Sequence, residues 1–491
     1  MQGRKHYSEK LFTHFQLSDR VPSYNFYRRL KAALDLGWLY GRTKKYYGRD
    51  GQKSIDPVVF FKLLLIGYFE NLLSDRRIID TASMRLDMLY FLGYDMDEEL
   101  PWHSTLSRTR QLYGQKVFTQ VFRNILKQCI DKGMLSGRRQ AVDGVFVKAN
   151  ASLDSMIERE VLDDATHYRN ELDENQEERK TPVADIKKGR PKDHDQLPPK
   201  KNPTNKTHYN PGDPDAKMSV KPGKATALNY LGQVSVDTSS HIITHIEAFP
   251  ADQRDSQCLP SVIEKLVDNL SPNGIIIEEI LADTGYSSGE ALQALEDKNI
   301  TGYIPNRRQF IYERPGFTYN SKDDYYICPN NKKLVYSGTH QAQEGVFNKE
   351  YKISRKICKE CPLQQRCSAF GKYTTLIRET TDRPLYSRMH ERMQTRKAKR
   401  LMKRRQATVE PVIGTLINYM GMKRVNTKGL EQANKCLTMS AVAYNIKKLL
   451  KHIPIQHWNT VMKLKQGFQA AFRCILINAK PHYSLKTILP L

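Results

Sequence analysis

Apolar side chains recur at helical spacing through roughly the first 135 residues. The strongest run, 58–69, follows Asp56-Pro57, where the carboxylate can cap free N–H groups and Pro fits the first helical position. Ser74 and Ser104 precede further amphipathic segments in the same way. Residues 1–135 are therefore predicted to form a helical N-terminal domain. Short helices with basic exposed positions are typical of a helix-turn-helix-like DNA-binding unit, and an ordinary helical bundle would give the same pattern.

The pattern changes at Gln140, where short apolar segments begin to alternate with helical ones. We expect strands at 141–147, 226–236, 241–249, 275–282 and 301–305, and a helix at 259–270. Alternation of this kind indicates an α/β layer. Residues 173–224 interrupt it, since they are rich in Pro, Lys, Asn and Asp and predict a flexible, solvated loop.

The C-terminal part divides into a segment that carries Cys, a basic helical segment and a tail. Residues 306–379 combine short strands, turns and Cys, and predict a β-rich insertion. Residues 380–452 are mainly helical and complete the α/β core that residues 136–305 begin. Residues 453–491 form a C-terminal tail without a clear pattern.

The charge balance indicates a polyanionic partner. Lys and Arg number 78 against 53 Asp and Glu, which gives a formal net charge of +25. Nucleic acid is the first candidate, and an anionic membrane surface is the competing one. No segment reaches the roughly 18 uninterrupted apolar residues of a membrane span, and the N-terminus lacks an apolar signal-peptide core. We therefore expect a cytoplasmic protein, without membrane contact, that is nucleoid-associated when bound to DNA.

Nine Lys or Arg residues fall within the 18 positions from 388 to 405. Such a run is usually only a solvated helix face. Its position just before Glu410 favours a further role in facing DNA phosphates, and two Arg of the N-terminal domain are candidates for the same role. The candidate DNA-binding residues are Arg108, Arg110, Arg396, Lys397, Lys399, Arg400, Lys403, Arg404 and Arg405.

Three carboxylates stand out by their local context. Asp143 lies inside the first predicted strand of the core, and Asp283 ends a buried strand just before a Gly and a helix start. Glu410 follows the basic run on a predicted helix. Carboxylates that converge are the ligands that Mg²⁺ needs, although each of these could also be a cap, a turn residue or a salt-bridge partner.

The order of these motifs resembles that of the DDE-type transposases of bacterial insertion sequences, over about residues 15–450. The resemblance is carried by the three carboxylate motifs, by N-terminal segments and by the closing helix. These motifs are DP at 56–57, SDR at 74–76, HSTLSR at 103–108, AVDG at 141–144, KANAS at 148–152, DPDA at 213–216, GQVSVD at 232–237, ADTGY at 282–286, VEPVIG at 409–414 and AYNI at 443–446.

The resemblance implies a ribonuclease-H-like core in which Asp143, Asp283 and Glu410 hold two Mg²⁺ ions. It also implies an enzyme that cleaves transposon ends and joins the freed 3′-hydroxyl to target DNA. Double-stranded DNA is then the partner, and a homodimer or higher assembly on DNA is expected. A metal-dependent nuclease of the same fold and a non-catalytic DNA-binding protein derived from a transposase remain the alternatives.

The chain departs from the family pattern around Glu410. Many relatives carry an Arg four residues before this Glu and a Lys seven residues after it, whereas this chain has Gln406 and Ile417. Arg405 and Lys423 are the candidate substitutes, and Lys423 joins the expected DNA-binding residues.

Asp237 is the main rival for a place in the carboxylate triad. It stands at the turn between the two strands predicted at 226–236 and 241–249. We interpret it as a hairpin residue and favour Asp143, because Asp143 lies in the first strand of the core.

Four cysteines suggest a structural metal in the insertion. Cys328, the C-x₂-C pair Cys358 and Cys361, and Cys367 fit tetrahedral thiolate zinc. A cytoplasmic location argues against disulfides, so the alternative is a set of reduced, partly buried thiols.

Overall fold

The computed structural model of the chain describes residues 16–48, 54–159, 203–219, 225–307, 314–320, 322–343 and 346–452. The predicted tail at 453–491 lies outside the described residues, as do positions 173–202 and 220–224 of the predicted loop. None of the helices in the described ranges is long and apolar enough to cross a bilayer.

The described part of the N-terminal region contains eight α-helices. They are α1 Leu17–Arg20, α2 Phe26–Ala33, α3 Leu39–Thr43, α4 Pro57–Phe69, α5 Asp75–Ser83, α6 Leu86–Leu92, α7 His103–Leu112 and α8 Gln115–Asp131. The predicted start of α4 is confirmed: the Asp56 carboxylate accepts hydrogen bonds from the Val58 and Val59 amides at 2.7 and 3.2 Å, and Pro57 is the first helical residue. Nearly all of α4 is buried, so it forms the centre of this helical region.

The central sheet combines antiparallel and parallel pairing. Its strands are β1 Arg139–Lys148, β4 Lys217–Ser219, β5 Ala227–Asp237, β6 Ile243–Pro250, β7 Glu279–Leu281 and β8 Thr301–Tyr303. A further pair, β2 Ile157–Glu158 and β3 His208–Tyr209, lies apart from it. β5 pairs antiparallel with β1 and with β6, and β4 joins the start of β5. On the other side of β1, β7 and then β8 pair in parallel.

Helices cover this sheet and extend its core into the N-terminal region. They are α9 Asp255–Leu270, α10 Gly289–Asp297, α12 Arg383–Gln394, α13 Arg396–Tyr419 and α14 Leu430–His452. α13 packs against β1, β5, β7 and β8, whereas α14 packs against β6, α8 and α4. One hydrophobic cluster therefore runs from the N-terminal helices through the sheet to α14.

Two asparagines of α14 form hydrogen bonds with backbone groups at the outer edge of β6. The Asn445 side chain accepts from the Ile243 amide at 2.9 Å and donates to the Ile243 carbonyl at 2.8 Å. Asn434 makes the same pair of bonds with Ala248, at 2.8 and 3.2 Å. An edge strand whose backbone groups are already paired cannot add a further strand at those positions.

The predicted insertion forms a second, fully antiparallel sheet. Its strands are β9 Thr318–Asn320, β10 Tyr325–Ile327, β11 Lys333–Gln343, β12 Val346–Lys352 and β13 Leu376–Thr380, in the order β13-β12-β11-β10-β9, with the short helix α11 Arg355–Lys359. Its own buried core is small and consists of Tyr326, Leu334, Tyr351, Ala369 and Ile377. The mixed α/β architecture with a helical N-terminal region is confirmed.

Two predicted elements differ from the observed ones. The strand expected at 275–282 is shorter in the structure and spans only Glu279–Leu281. Ile276, which was expected to lie in this strand, precedes the sheet and is 80% exposed. The basic stretch of the helical segment predicted at 380–452 forms two helices that are separated at Thr395. The Thr395 backbone is extended, and its side chain caps α13 by accepting from the Ala398 amide at 3.1 Å.

Candidate active site

Asp143 and Asp283 occupy equivalent places on two parallel strands. Ala141 of β1 is in register with Leu281 of β7, so the two aspartates each lie two residues beyond this pair. Asp143 continues along β1, whereas Asp283 begins a single 3-10 turn, and its Oδ1 accepts from the Gly285 amide at 2.8 Å. The register of the sheet thus brings together two carboxylates that are 140 residues apart in sequence.

Arg405 of α13 lies between these two carboxylates. Its guanidinium Nη2 is 2.9 Å from Oδ1 of Asp143 and 3.9 Å from Oδ2 of Asp283, and its Nε donates to the Val142 carbonyl at 3.4 Å. Arg405 is 5% exposed, so its charge is well shielded from water. The guanidinium is therefore the counter-ion of both carboxylates.

Burial raises the pKa of Asp143 to about 6. Arg405 and the Gly144 amide oppose this rise, while the negative charges of Asp283 and Asp255 add to it. The neighbouring negative charges thus oppose ionisation of Asp143, and a cation bound between the carboxylates would relieve that repulsion.

A third aspartate, Asp255, reaches the same region from the start of α9. Its Oδ1 accepts from Nε2 of Gln233 at 2.7 Å, and the Tyr286 hydroxyl donates to Oε1 of Gln233. Sequence reasoning missed Asp255 because an Asp in the first turn of a helix is common and is stabilised by the helix dipole alone.

Glu410 does not join the aspartates in this conformation. Its side chain is exposed, and within the described ranges it makes no hydrogen bond or ion pair. Glu410 follows Arg405 by five residues on the continuous helix α13, which rotates it by about 140° away from the face that carries Arg405.

The donor chemistry at the two strands fits a hard divalent cation. Two carboxylates converge there, and a buried cationic group already lies between them. Across the described part of the chain, however, no three or more His, Cys, Asp or Glu side chains converge closely enough to hold a metal ion. Asp143 and Asp283 are therefore the residues that could hold a metal ion, and in this structure the Arg405 guanidinium lies between them instead.

Two family models match the chain. A family described as "Transposase domain (DUF772)" matches residues 15–112, and one described as "Transposase DDE domain" matches residues 327–450. These two matches support a DDE-type transposase. The second range contains Glu410, whereas Asp143 and Asp283 lie between the two matched ranges.

Three solved transposase structures are similar to the chain at low identity. The synaptic complex of the piggyBac transposase with hairpin DNA shares 12% identity, over 91% of this chain and 79% of that chain, with a TM-score of 0.32. The Mos1 transposase paired-end complex with the left transposon end shares 10%, over 54% and 64%, with a TM-score of 0.16. A pre-cleavage Mos1 transpososome shares 9%, over 80% and 94%, with a TM-score of 0.16. No curated protein matches the sequence.

In this transposase Asp237 is a buried turn residue at the end of β5. Its carboxylate accepts from the Gly137 amide and from the Ser239 amide, each at 2.8 Å. It is fully buried, and its further donors are the Ser240 amide and the hydroxyls of Ser136, Ser239 and Ser240. This geometry agrees with its interpretation as a hairpin residue.

The basic run of α13 divides into paired and unpaired cations. Arg396, Lys399, Arg400 and Lys403 are exposed and, among the residues that the structure describes, have no hydrogen-bonded or ionic partner. Lys397 pairs with Glu279 at 2.6 Å, and Arg404 donates to the Thr238 carbonyl at 3.1 Å. Lys423 is also exposed.

Two of the expected DNA-binding residues are buried in ion pairs. Arg110 is 5% exposed and forms a two-bond ion pair with Asp75, at 2.7 and 3.0 Å. Arg405 is buried against Asp143. Both guanidiniums are held by carboxylates inside the protein, so neither is available to phosphates in this conformation, whereas Arg108 is exposed on α7 and donates to Ser104 Oγ at 3.0 Å.

The four cysteines of the insertion line one cavity of about 350 Å³. Cys328, Cys358, Cys361 and Cys367 are free thiols of intermediate exposure, and burial raises the pKa of Cys358. Asn330 Nδ2 donates to the Cys361 sulfur at 3.5 Å. They belong to no metal-binding group in the described ranges, so zinc stays a prediction.

Proposed function

We propose that this transposase cleaves transposon ends and joins the freed 3′-hydroxyl to target DNA by two-metal phosphoryl transfer. The observation that carries the proposal is the placement of Asp143 and Asp283 at equivalent positions of two parallel strands, with a buried cation between them. The family match supplies the reaction class, since DDE transposases are DNA-cleaving and DNA-joining enzymes.

The topology of the central sheet supports a ribonuclease-H-like core. Three antiparallel strands in the order β6-β5-β1 are followed by β7 and β8 in parallel with β1. The parallel strands place their carboxyl ends at one edge, where open α/β sheets bind ligands. Asp283 lies just beyond the carboxyl end of β7, and Asp143 lies at the matching register position within β1.

Each residue has a distinct task in this proposal. Bound Mg²⁺ would supply an activated water and stabilise the charge on the attacking and leaving oxygens. Asp143 and Asp283 would hold the ions, while Arg405 stays near enough to balance the carboxylate charge. Glu410 is proposed as the third carboxylate, and reaching the others requires α13 to rotate or bend, for which Pro411 within the helix is a suitable point.

DNA is the proposed partner of the exposed cations of α13. Arg396, Lys399, Arg400 and Lys403 carry charges that no carboxylate of the described residues neutralises, and phosphates are the polyanion that such a helix attracts. Lys423 and Arg108 are proposed as further phosphate-binding residues. Because two transposon ends must be processed together, we also propose a homodimer or higher assembly on DNA.

A structural zinc ion is proposed for the insertion. Among the described residues of the second sheet, the buried apolar cluster has five members, and small units of this kind often depend on a metal. The cavity that the four cysteines share provides thiolate donors around one space.

The test is a strand-cleavage and joining assay with DNA that carries both flanks of the gene. We expect Mg²⁺-dependent nicking and joining by the natural protein, and loss of both in Asp143→Asn, Asp283→Asn and Glu410→Gln with DNA binding retained. Asp237→Asn serves as the matched control and should cleave normally per folded molecule. Cleavage without joining would support the nuclease alternative, and DNA binding without any cleavage would support the non-catalytic one.

A further inference from the structure

We infer that Asp255 is a positioning carboxylate of the Asp143–Asp283 site, whose charge raises the affinity of that site for a divalent cation. The inference rests on the proposed function, because it assigns Asp255 to the metal site of that reaction. Asp255 belongs to none of the sequence motifs that carry the family resemblance, so its assignment comes from the fold alone.

Two glycines make room for the Asp255 carboxylate. Gly144 directly follows Asp143, and a Cβ at this position would overlap Oδ1 of Asp255. Gly285 lies in the turn that Asp283 begins, and a Cβ there would be 3.1 Å from Oδ2 of Asp255. Glycine in the interior of a strand weakens the strand, so its presence at 144 needs a reason, and the close approach of this carboxylate provides one.

A hydrogen-bond chain ties Asp255 to the turn that carries Asp283. Gln233 of β5 donates to Asp255 at 2.7 Å and accepts from the hydroxyl of Tyr286, the last residue of that turn. Tyr286 is fully buried, so its ring anchors the turn in the core. Asp255 therefore acts on Asp283 through Gln233 and Tyr286, in the way that outer hydrogen-bond partners orient metal-ligating side chains.

Charge gives Asp255 a second effect, on the strength of cation binding. The negative charges of Asp283 and Asp255 both act on Asp143, and the Arg405 guanidinium lies between Asp143 and Asp283. A cation that enters the site gains attraction from each carboxylate, including one that does not touch it. Neutralising Asp255 should thus weaken cation binding even when the shape of the site is kept.

The experiment measures Mn²⁺ binding to the full-length, metal-free protein without DNA, by the electron paramagnetic resonance signal of free Mn²⁺. Asp255→Asn keeps an oxygen that can accept from Gln233, removes the charge and replaces the second oxygen by an NH2 group. We expect its Kd for Mn²⁺ to rise about tenfold, while the urea midpoint of unfolding stays near that of the natural protein. Asp268→Asn is the matched control, because it makes the same change at an exposed position of the same helix.

The outcomes separate this inference from the proposed function. Equal Kd values for Asp255→Asn and Asp268→Asn would overturn it and leave Asp255 as a helix-end residue. Should Asp255→Asn fold poorly, Asp255→Ser is the second variant, and a folded Ser variant with natural Mn²⁺ affinity would overturn the inference equally. If Asp143→Asn and Asp283→Asn also bind Mn²⁺ normally, the proposed metal site itself is wrong.

Discussion

Replacing Arg405 by Met should destabilise the metal-free protein and make it respond more strongly to Mg²⁺. At an effective dielectric constant of about 20, a unit charge pair is worth about 6 kcal/mol at the 2.9 Å separation from Asp143 and about 4 kcal/mol at the 3.9 Å separation from Asp283. Solvent screens the second pair, because the Asp283 side chain is 47% exposed, and removing Arg405 also removes the free-energy cost of burying its charge. We therefore expect a net loss of about 3 kcal/mol in the free energy of unfolding at pH 7.5.

The loss should shrink as the pH falls through 6. Burial has already raised the pKa of Asp143 to about 6, and removing the guanidinium that opposes this rise will raise the pKa further. A folded-state pKa above the unfolded value means that the ionised carboxylate destabilises the fold at high pH and that protonation relieves this. The Arg405→Met protein should thus come closer to the natural protein at pH 5.5 than at pH 7.5.

The assay is urea unfolding of chelator-treated protein at both pH values, with and without Mg²⁺. Arg404→Met is the control, since Arg404 is the exposed neighbour and donates only to a carbonyl. Adding Mg²⁺ should recover more stability in Arg405→Met than in the natural protein, because two unpaired carboxylates bind the cation more tightly. An unchanged urea midpoint in Arg405→Met, or equal Mg²⁺ responses, would refute the counter-ion role of Arg405.

Three further predictions test other parts of the account. Gly144→Ala should destabilise the protein by about 1–3 kcal/mol in urea unfolding, because the new methyl group would overlap Asp255. Gly414 on α13 has open space around it, so the control Gly414→Ala should instead stabilise the protein by up to about 1 kcal/mol. Equal effects of the two substitutions would contradict the close approach of Asp255 to Gly144. Replacing Lys399 and Arg400 by Ala should lower the slope of log K for duplex DNA against log salt by about 0.9 for each phosphate that these side chains neutralise; an unchanged slope would leave these residues as a solvated face. Metal analysis should find about one zinc per chain, and a zinc-free preparation with unchanged thermal stability would exclude the zinc site.

The two aspartates could be proposed from the sequence because Asp143 lies inside one predicted core strand and Asp283 ends another. The register of β1 and β7 then follows from the parallel pairing of those segments. The length of β7 could not be predicted in the same way, since the apolar residue Ile276 is exposed and only tertiary pairing decides where the strand begins.

The burial of Arg405 was not predicted, because Arg405 lies within a run of basic residues. The buried residues of α13 include Ala398, Leu401, Arg405, Val409 and Val412, which recur every three or four positions. This helical spacing places Arg405 on the apolar face, whereas its neighbours face solvent, so the pattern contained a signal that the charge run obscured. A buried Arg on such a face requires an internal carboxylate, and that requirement points to Asp143.

The position of Asp255 follows from tertiary structure alone. Its partners Gln233, Gly144 and Gly285 come from three other elements, and no local pattern marks an Asp in the first turn of a helix as different from any other. Glu410 illustrates the opposite case: the family motif identifies it readily, but the helix face on which it lies separates it from the other two carboxylates in this conformation.

The most direct test of the central claim is the Mg²⁺-dependent rate of DNA strand cleavage by Asp143→Asn, Asp283→Asn and the double variant, at matched DNA occupancy. If the two carboxylates serve one metal-dependent site, each single change should abolish cleavage and the double change should be no slower than either single one. Losses that multiply, or a single variant that cleaves at a substantial fraction of the natural rate, would contradict a site shared by Asp143 of β1 and Asp283 beyond the end of β7.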